Sequence, residues 1–371
     1  MKLTHIVPDT TSEASGLSAT VPSICRSLAM RGHDVTMSCH SGARVEGVKL
    51  DLHAKLPLLQ RLGVAPSHFE ALRRQRLTDD IVHSHSLWML MNIAPGLIVP
   101  GAHAKLICSP HGTLSAWALS HSRGRKQLVW PLQRQVLARA DLLHATADPE
   151  HDDIRANGFD APVAVIANGI DLPQLPPRPD GHGRLLLFLS RIHPVKGIEA
   201  LLEAWSRVAP DNPNWELMIA GPGEASYVAA LADQASGLPR AKLIGPVYGA
   251  EKSALYRRAD LFVLPSKSEN FAMVVAEALG HECPVVVSKA APWADVESEG
   301  CGWWTDAGPE PLAATLAAAM SLSVAERSVM GVRGRAWIEK DFSWASVAER
   351  LERAYDWILG RGDRPDFIKL P

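Results

Sequence analysis

Short apolar runs alternate along the whole chain with longer segments in which apolar residues recur every three or four positions. The short runs predict β-strands, and the longer segments predict amphipathic helices. The predicted strands are Leu3–Val7, Val35–Cys39, Ile81–His85, Lys105–Ser109, Asp141–Ala145, Val163–Ile166, Leu185–Leu189, Trp215–Ala220, Asp260–Leu264 and Pro284–Val287. Strands that alternate with helices in this way are typical of doubly wound parallel sheets with helices on both faces, an α/β architecture.

The helical segments lie between these strands and after the last of them. They are predicted at Leu17–Met30, at a segment containing Trp88, Met89 and Leu90, from Thr146 to about Asn157, and at Ile198–Val208, Asn270–Leu279, Leu312–Met320, Val324–Lys340 and Trp344–Leu359. The last of these helices carries a single apolar stripe made of Val347, Leu351, Tyr355 and Ile358. Such a stripe predicts that the helix packs against a core.

One proline-dense segment divides the chain. Residues 172–183, LPQLPPRPDGHG, hold four prolines and two glycines, a composition typical of a linker. A chain of 371 residues is too long for one ordinary domain and suits two. We therefore predict an N-terminal domain over residues 1–171 and a C-terminal domain over residues 184–342.

Composition and charge exclude several classes of protein. The net charge of −2 gives no strong attraction to nucleic acid, and no run of 18 uncharged apolar residues indicates a membrane span. The start, MKLTHIVPDTTSEASG, turns polar after Val7 and does not have the pattern of a signal peptide. Five cysteines lie far apart without a C-x-x-C pair, which predicts reduced thiols in a cytosolic protein and no structural zinc site.

Residues 53–78 are rich in leucine and arginine, with Arg61, Arg73, Arg74 and Arg76 among them. A helix with one solvated face is the expected structure for this segment. Contact between the arginines and anionic lipid headgroups is the alternative.

Two glutamates eight positions apart, Glu269 and Glu277, frame one predicted helix. Eight helical residues span about 12 Å, close to the separation of the sugar ring and the ribose in an extended nucleotide sugar. The amides of Phe271, Ala272 and Met273 have no partner inside such a helix, so they can receive a diphosphate. One carboxylate can then hold sugar hydroxyls and the other ribose hydroxyls. Solvated or capping glutamates on an ordinary helix are the alternative.

Two cations follow the first strand of the second half, in the run SRIHPVKG. Arg191 and Lys196 flank a turn before the next helix, where they and the helix terminus can neutralise a diphosphate. Two ordinary surface cations are the alternative. In the first half, His111 directly follows a strand, at the edge of the sheet where ligands bind in doubly wound folds; a structural histidine is the alternative there.

These motifs, taken in order, resemble those of retaining GT-B glycosyltransferases, in particular the large GT4 family. The resemblance covers nearly the full chain and includes the loop at Ser15-Gly16, the run SPHGTLSAWAL from Ser109, NGID from Asn168, the R-x4-K spacing, GPG from Gly221, and the E-x7-E pair. The SPHGTLSAWAL run, with the basic residues and the Trp130 that follow it, is similar to that of members that build surface polysaccharides. Two departures follow the first glutamate, where Asn270 and Ala272 replace the usual glycines. They concern donor preference more than activity.

The resemblance implies a role for each matching residue. His111 is implied to lie beside the transferred sugar, Arg191 and Lys196 to balance the charge of the leaving diphosphate, and Glu269 to orient the sugar. The residues implied to bind the donor are Gly16, Gly221, Pro246, Val247, Asn270, Phe271, Ala272, Met273 and Glu277. Those implied to face the acceptor are Trp117, Arg123 and Lys126.

The fold implied by the resemblance is GT-B, in which two Rossmann-like domains face each other across a cleft. The final helix, here about residues 343–371, crosses back to the first domain in that family. The implied reaction moves a hexosyl unit from an NDP-sugar to a hydroxyl of a saccharide, with retention at the anomeric carbon. The product would be an intermediate of lipopolysaccharide, exopolysaccharide or capsule synthesis. No cofactor is implied, and without a DxD pair at a plausible site no metal is implied either.

The implied partners are the NDP-sugar and a saccharide or lipid-linked saccharide, with no nucleic acid. The expected location is the cytoplasm, with peripheral contact at the cytoplasmic face of the membrane. Three alternatives share the fold. An epimerase would need no acceptor, and a phosphorylase would consume free phosphate or carry pyridoxal phosphate on a lysine. A non-catalytic protein that binds nucleotide sugars would show no turnover.

Overall fold

The computed structural model of the chain describes residues 1–11, 16–57, 62–120, 123–175 and 184–371. Within these ranges, the side chains that are not described are those of Trp117, Arg123, Arg125, Lys126 and Gln127. Ser15, Arg61 and residues 176–183 of the predicted linker also lie outside the described part. The chain divides into two units, one made of residues 1–169 and 344–371 and the other of residues 170–343.

In the described part of the first unit, eight strands form one sheet. They are β1 (Lys2–Ile6), β2 (Asp34–Cys39), β3 (Val48–Leu52), β4 (Ile81–His85), β5 (Lys105–Ser109), β6 (Leu142–Ala145), β7 (Val163–Val165) and β14 (Ile368–Lys369). Their order across the sheet is β14-β7-β6-β5-β4-β1-β2-β3. Neighbouring strands are parallel except at the edge, where β14 pairs antiparallel with β7.

Helices cover both faces of this sheet. They are α1 (Gly16–Met30), α2 (Pro66–Thr78), α3 (Leu90–Ile98), α4 (Ala116–Ser120), α5 (Arg123–Leu137), α6 (Asp148–Ala156) and α13 (Trp344–Ile358). One core cluster joins α1 and α13 to the strands, and it contains the buried stripe residues Val347, Leu351 and Tyr355. A second cluster is formed by strand residues that do not belong to the first, and it includes side chains of α2, α3 and α5. The apolar stripe of the last helix is therefore buried, as its periodicity predicts.

The second unit contains a six-stranded parallel sheet. Its strands are β8 (Arg184–Leu189), β9 (Trp215–Ala220), β10 (Ala241–Gly245), β11 (Leu261–Leu264), β12 (Val285–Ser288) and β13 (Gly302–Thr305), in the order β10-β9-β8-β11-β12-β13. Its helices are α7 (Ile198–Val208), α8 (Ala225–Ser236), α9 (Gly249–Arg258), α10 (Met273–Gly280), α11 (Pro309–Ser321) and α12 (Val324–Phe342). Short 3-10 turns lie at Pro194–Lys196 and Ala294–Val296.

Each sheet has one point at which the strand order reverses. In the first unit β1 lies between β2 and β4, and in the second unit β8 lies between β9 and β11. In doubly wound sheets, ligands bind in the crevice outside the carboxyl ends of the strands at such a point. The topology therefore places one candidate site at the ends of β1 and β4, and another at the ends of β8 and β11.

The structure confirms the predicted α/β class and corrects some of the predicted elements. The first sheet is not purely parallel, because β14 joins it in the antiparallel sense. Neither β14 nor β3 was predicted, since β3 is half-exposed and does not form a continuous apolar run. The helix predicted to contain Trp88 and Met89 begins at Leu90, and Trp88 has a φ of 77°.

Three further expectations concern the protein surface, the cysteines and the membrane. Arg73 and Arg74 on α2 are exposed, as expected for a solvated helix face. All five cysteines are buried thiols. Among the helices in the described ranges, none is both long enough and apolar enough to cross a bilayer.

Candidate active site

Two loops at the carboxyl ends of β8 and β11 carry the predicted cations and the first glutamate. The amide of Lys267 in one loop donates to the carbonyl of Val195 in the other at 2.7 Å. Gly197 has a φ of 69°, and a Cβ at this position would overlap the carbonyl oxygen of Pro265. Glycine therefore permits the close approach of the two loops that brings their side chains together.

Lys196 and Glu269 form an ion pair between these loops. Nζ lies 2.5 Å from Oε1, and the two side chains are only 10% and 9% exposed. The hydroxyl of Ser266 donates to the same carboxylate oxygen at 2.6 Å, and Ser288 in turn donates to the Ser266 carbonyl at 2.5 Å. The residues described in the structure give Oε2 of Glu269 no partner. That oxygen is therefore open to accept a hydrogen bond from a ligand.

Arg191 differs from Lys196 in its surroundings. It lies at the carboxyl end of β8 and is exposed, and its guanidinium has no hydrogen bond or ion pair with the described residues. Lys196 is buried, and its ammonium group already pairs with Glu269. Of the two predicted cations, Arg191 is thus the one whose five N–H donors all remain available to an anion.

The helix after the first glutamate begins later than predicted. α10 starts at Met273 rather than at Asn270, so Glu269 lies in the preceding loop and only Glu277 is on the helix. The helical spacing of about 12 Å expected between the two carboxylates therefore does not apply.

Tertiary contacts hold this loop out of the helix. The amide of Glu269 donates to the carbonyl of Ala290 at 3.2 Å, and Trp293 Nε1 donates to the carbonyl of Phe271 at 2.5 Å. Ala272 then takes a left-handed conformation, with φ 65° and ψ 64°, and caps the helix. These bonds fix a conformation that local helix propensity alone does not predict.

The amino terminus of α10 leaves backbone amides available to a ligand. Of the three amides predicted to receive a diphosphate, that of Met273 opens the helix, while those of Phe271 and Ala272 precede it. The first amides of a helix have no intrahelical acceptor, although that of Val275 already bonds to the Ala272 carbonyl at 2.9 Å. Aligned peptide dipoles make this end of the helix favourable for negative charge.

Glu277 is held by two side chains of α9. Lys252 Nζ lies 2.7 Å from Oε1, and the hydroxyl of Tyr256 lies 2.9 Å from Oε2. Burial and the charge of Glu277 raise the pKa of Tyr256 well above its usual range, so its hydroxyl remains a donor. Sequence reasoning missed both partners, although their four-residue spacing on a helix places them on one face.

The remaining predicted donor residues lie at the ends of β9 and β10. Gly221 has a φ of 145°, and a Cβ there would overlap the carbonyl oxygen of Ser190. Its amide donates to the carbonyl of Gly245 at 2.9 Å. Pro246, which follows, is exposed, and Val247 is buried. Gly221 therefore permits the close packing of neighbouring strand ends, beside Ser190 and Arg191.

The predicted residues of the first unit lie after β1 and β5. Gly16 is the first residue of α1 and is exposed. The predicted acceptor residues Trp117, Arg123 and Lys126 fall on α4 and α5, and their side chains lie outside the described part of the structure.

His111 occupies a tight turn after β5, where its φ is 53°. The turn is held by Glu150, a buried carboxylate whose Oε1 accepts the Gly112 amide at 2.6 Å. The other oxygen of Glu150 accepts the amide and the hydroxyl of Thr146, both at 2.7 Å. Sequence reasoning missed Glu150 as part of the site and treated it only as part of a helix start.

Four more histidines surround His111 at the carboxyl ends of the strands. His5 pairs in register with His83, and His83 and His85 alternate along β4, so their side chains share one face of the sheet. Burial lowers the pKa of His5 and His111 to about 3 and that of His144 to about 4. Burial also lowers the pKa of His83 and His85 well below the usual range. The cluster is therefore neutral near pH 7; the H-x-H pattern in IVHSH was the signal for it in the sequence.

Two family models match this chain, one for each half. A family model described as Glycosyltransferase Family 4 matches residues 14–174, and one described as Glycosyl transferases group 1 matches residues 176–337. The two models together cover most of the chain, and their junction falls inside the proline-dense linker.

Similar proteins carry the names of glycosyltransferases. The D-inositol 3-phosphate glycosyltransferase of Corynebacterium diphtheriae is 25% identical, over 92% of this chain and 90% of its own. The phosphatidyl-myo-inositol mannosyltransferase of Mycobacterium tuberculosis is 29% identical, over 76% and 75% of the two chains. A glycogen synthase of the same organism is 27% identical, over 96% and 94%.

Solved structures establish the fold. The crystal structure of Anabaena HepE in complex with UDP and glucose superposes with a TM-score of 0.75, at 18% identity, over 96% of this chain and 100% of that one. WaaG, a glycosyltransferase involved in lipopolysaccharide biosynthesis, superposes with a TM-score of 0.71, at 17% identity and the same coverage. The chain therefore belongs to the group 1, GT4-type glycosyltransferases, enzymes that use nucleotide sugars, and its two α/β units form the GT-B fold.

Proposed function

We propose that the enzyme moves a hexosyl unit from an NDP-sugar to a saccharide hydroxyl, with retention at the anomeric carbon and without a metal. The observation that carries this proposal is the arrangement at the ends of β8 and β11. An exposed Arg191, a buried Lys196–Glu269 pair with an open Oε2, and the amino terminus of α10 lie on adjacent loops. This set of groups suits a diphosphate attached to a sugar.

Stabilisation of the leaving group is the main task of the site in this proposal. The bond between the anomeric carbon and the diphosphate oxygen breaks, and negative charge accumulates on the diphosphate. Arg191 can form a bidentate contact with phosphate oxygens. Lys196 uses one N–H on Glu269 and retains two more donors for phosphate. Preorganised donors of this kind act where charge develops in the transition state.

Each of the two carboxylates binds a different part of the donor in this proposal. Oε2 of Glu269 accepts a hydroxyl of the transferred sugar, and Glu277 accepts ribose hydroxyls while Lys252 and Tyr256 hold it in place. His111 contacts the transferred sugar. The acceptor oxygen bonds to the anomeric carbon on the face that the diphosphate leaves, and its proton passes to the leaving phosphate.

A lipid-linked saccharide is the proposed acceptor, as an intermediate of a surface polysaccharide. The names of two relatives point to acceptors that contain inositol phosphate, and one structural relative acts in lipopolysaccharide biosynthesis. Trp117, Arg123 and Lys126 are the proposed acceptor residues. Exposed arginines on α2, Arg73 and Arg74, can support peripheral contact with an anionic membrane surface.

Product analysis tests the reaction. Full-length protein is incubated with UDP-, GDP- or ADP-hexoses and a panel of saccharides and lipid-linked saccharides, with and without EDTA. We expect NMR to show a new glycosidic bond with the anomeric configuration of the donor, and we expect EDTA to leave the rate unchanged. An inverted product, a rate abolished by EDTA, or conversion of the donor without any acceptor would contradict the proposal.

Substitution of Arg191 tests the proposed diphosphate site without disturbing the fold. Arg191→Ala removes an exposed guanidinium that makes no contact with the described residues, so the melting temperature should not change. We expect kcat to fall by about 10²- to 10³-fold, the usual effect of removing one preorganised donor to a developing charge. Lys242→Ala, which removes an exposed cation on β10, is the matched control and should retain full turnover. Equal rates for Arg191→Ala and the control would exclude Arg191 from the site.

Substitution of Ala272 tests the left-handed backbone conformation at the proposed diphosphate site. A left-handed conformation costs an L-residue about 1–2 kcal/mol, and glycine adopts it without this cost. Part of that gain is lost because glycine has a larger conformational entropy in the unfolded chain. We therefore expect Ala272→Gly to raise the free energy of unfolding by up to about 1 kcal/mol, measured by urea denaturation. The control, Ala230→Gly on the exposed face of α8, should lower it by about 1 kcal/mol. Equal destabilisation by both substitutions would contradict the left-handed assignment.

A further inference from the structure

Three imidazole rings form a hydrogen-bonded chain from the protein interior to the proposed sugar site. His5 Nδ1 lies 2.9 Å from His85 Nε2, and His85 Nδ1 lies 3.0 Å from His111 Nε2. His5 and His85 are fully buried. Nδ1 of His111 has no partner among the described residues and is not buried, so it forms the outer end of the chain.

Each ring in this chain carries one proton. Burial lowers the pKa of His5 and that of His111 to about 3, and it also lowers the pKa of His85 well below its usual range. A neutral imidazole has one N–H donor and one bare nitrogen that accepts. Two proton orders therefore satisfy both hydrogen bonds, and they differ in the direction in which every ring donates.

The inner end of the chain distinguishes the two orders. Nε2 of His5 is buried and has no hydrogen-bond partner within the described ranges. If the rings donate inward, this nitrogen carries an N–H without an acceptor. If they donate outward, it holds only an unused lone pair. Buried N–H groups without an acceptor are rarer in proteins than acceptors with an unused lone pair, so the outward order is favoured.

We propose that His5 and His85 are positioning residues that fix His111 as the tautomer protonated at Nδ1, so that it donates a hydrogen bond to an oxygen of the transferred sugar. This inference rests on the proposed contact between His111 and the sugar. It assigns the ligand atom at this position as a hydrogen-bond acceptor, either the ring oxygen or a hydroxyl lone pair. The two inner histidines act through His111 and do not touch the substrate.

A second chain beside the first has its direction fixed independently. His144 Nε2 lies 2.8 Å from the carbonyl of Ile166, which can only accept, so His144 is protonated at Nε2. The hydroxyl of Ser109 then donates to His144 Nδ1 at 2.8 Å and accepts from His83 Nε2 at 2.7 Å. The hydroxyl of Tyr355 completes this chain by donating to His83 Nδ1 at 2.8 Å. The rings of this second chain are protonated at Nε2, whereas those of the first are proposed to be protonated at Nδ1. The second chain therefore serves as an internal reference when the tautomers of the first are measured.

The same rings could be considered a metal site, since His5, His83 and His85 each offer a nitrogen within 4.8 Å of the others. A ligating nitrogen needs a free lone pair, and both nitrogens of His83 are held by Tyr355 and Ser109. Both nitrogens of His85 are held by the neighbouring histidines. An ion would leave buried hydroxyl groups without partners, which is costly. The hydrogen-bonded arrangement therefore explains these contacts better than ligation does.

Nitrogen NMR tests the tautomers directly in the free enzyme. Long-range ¹H–¹⁵N correlation spectra of full-length protein labelled with ¹⁵N-histidine distinguish a protonated ring nitrogen from a bare one. We expect His5, His85 and His111 to be protonated at Nδ1, and His83 and His144 at Nε2. Protonation of His111 at Nε2 would overturn the inference, and this result is independent of any activity.

Two substitutions at His5 test the consequence for turnover. His5→Asp places a carboxylate that only accepts, so a neutral His85 donates inward and His111 then loses its Nδ1 proton. We expect kcat/KM to fall about tenfold, the effect of losing one neutral hydrogen bond, together with a shift of the His111 proton to Nε2. His5→Asn offers an amide N–H near the position of Nδ1 and should restore the outward order and most of the turnover.

The outcomes separate this inference from the proposed function. If His5→Asp moves the proton of His111 but leaves kcat/KM unchanged, His111 does not donate to the sugar and the inference fails. If the wild-type enzyme transfers no sugar at all, the proposed function fails while the tautomer measurement still stands. Tyr355→Phe alters only the second chain and should leave His111 protonated at Nδ1, which controls for general perturbation of the cluster.

Discussion

The buried ion pair between Lys196 and Glu269 is the interaction on which the rest of the proposed donor site depends. Each charge would be costly to bury alone, and the close contact with an additional hydrogen bond from Ser266 compensates for that cost. The pair joins the loops after β8 and β11 at the point where the strand order reverses. Because both partners are tied to these loops, the open oxygen of Glu269 and the start of α10 are fixed in position before any ligand arrives.

The two units prepare their sites by different physical means. The second unit uses compensated charges, in the Lys196–Glu269 pair and in Glu277 with its partners on α9. The first unit uses neutral hydrogen-bonded rings, because burial keeps its histidines uncharged. Charges suit a diphosphate that becomes more negative as it leaves. Neutral donors of fixed direction suit sugar oxygens, whose recognition depends on geometry more than on net charge.

The sequence predicts the sheets well, because their central strands are buried and read as continuous apolar runs. It predicts the edges poorly. The half-exposed β3 lacks such a run, and β14 is a two-residue strand formed only when the chain returns to the first unit. At the candidate site, the sequence motifs single out Lys196, Glu269 and Glu277. The late start of α10, however, depends on contacts to Ala290 and Trp293 that are distant in sequence. For the same reason Glu150 and the inner histidines emerge only when the strands are placed side by side.

A double-mutant cycle on Lys196→Met and Glu269→Gln tests the central role of the ion pair most directly. Each single substitution leaves a buried charge without its partner, so each should lower the free energy of unfolding by roughly 3–5 kcal/mol. The double variant should lose less than the sum, with a coupling energy of about 0.5–3 kcal/mol in urea denaturation of the full-length protein. Losses that add without coupling would show that the two residues act independently and would contradict the account.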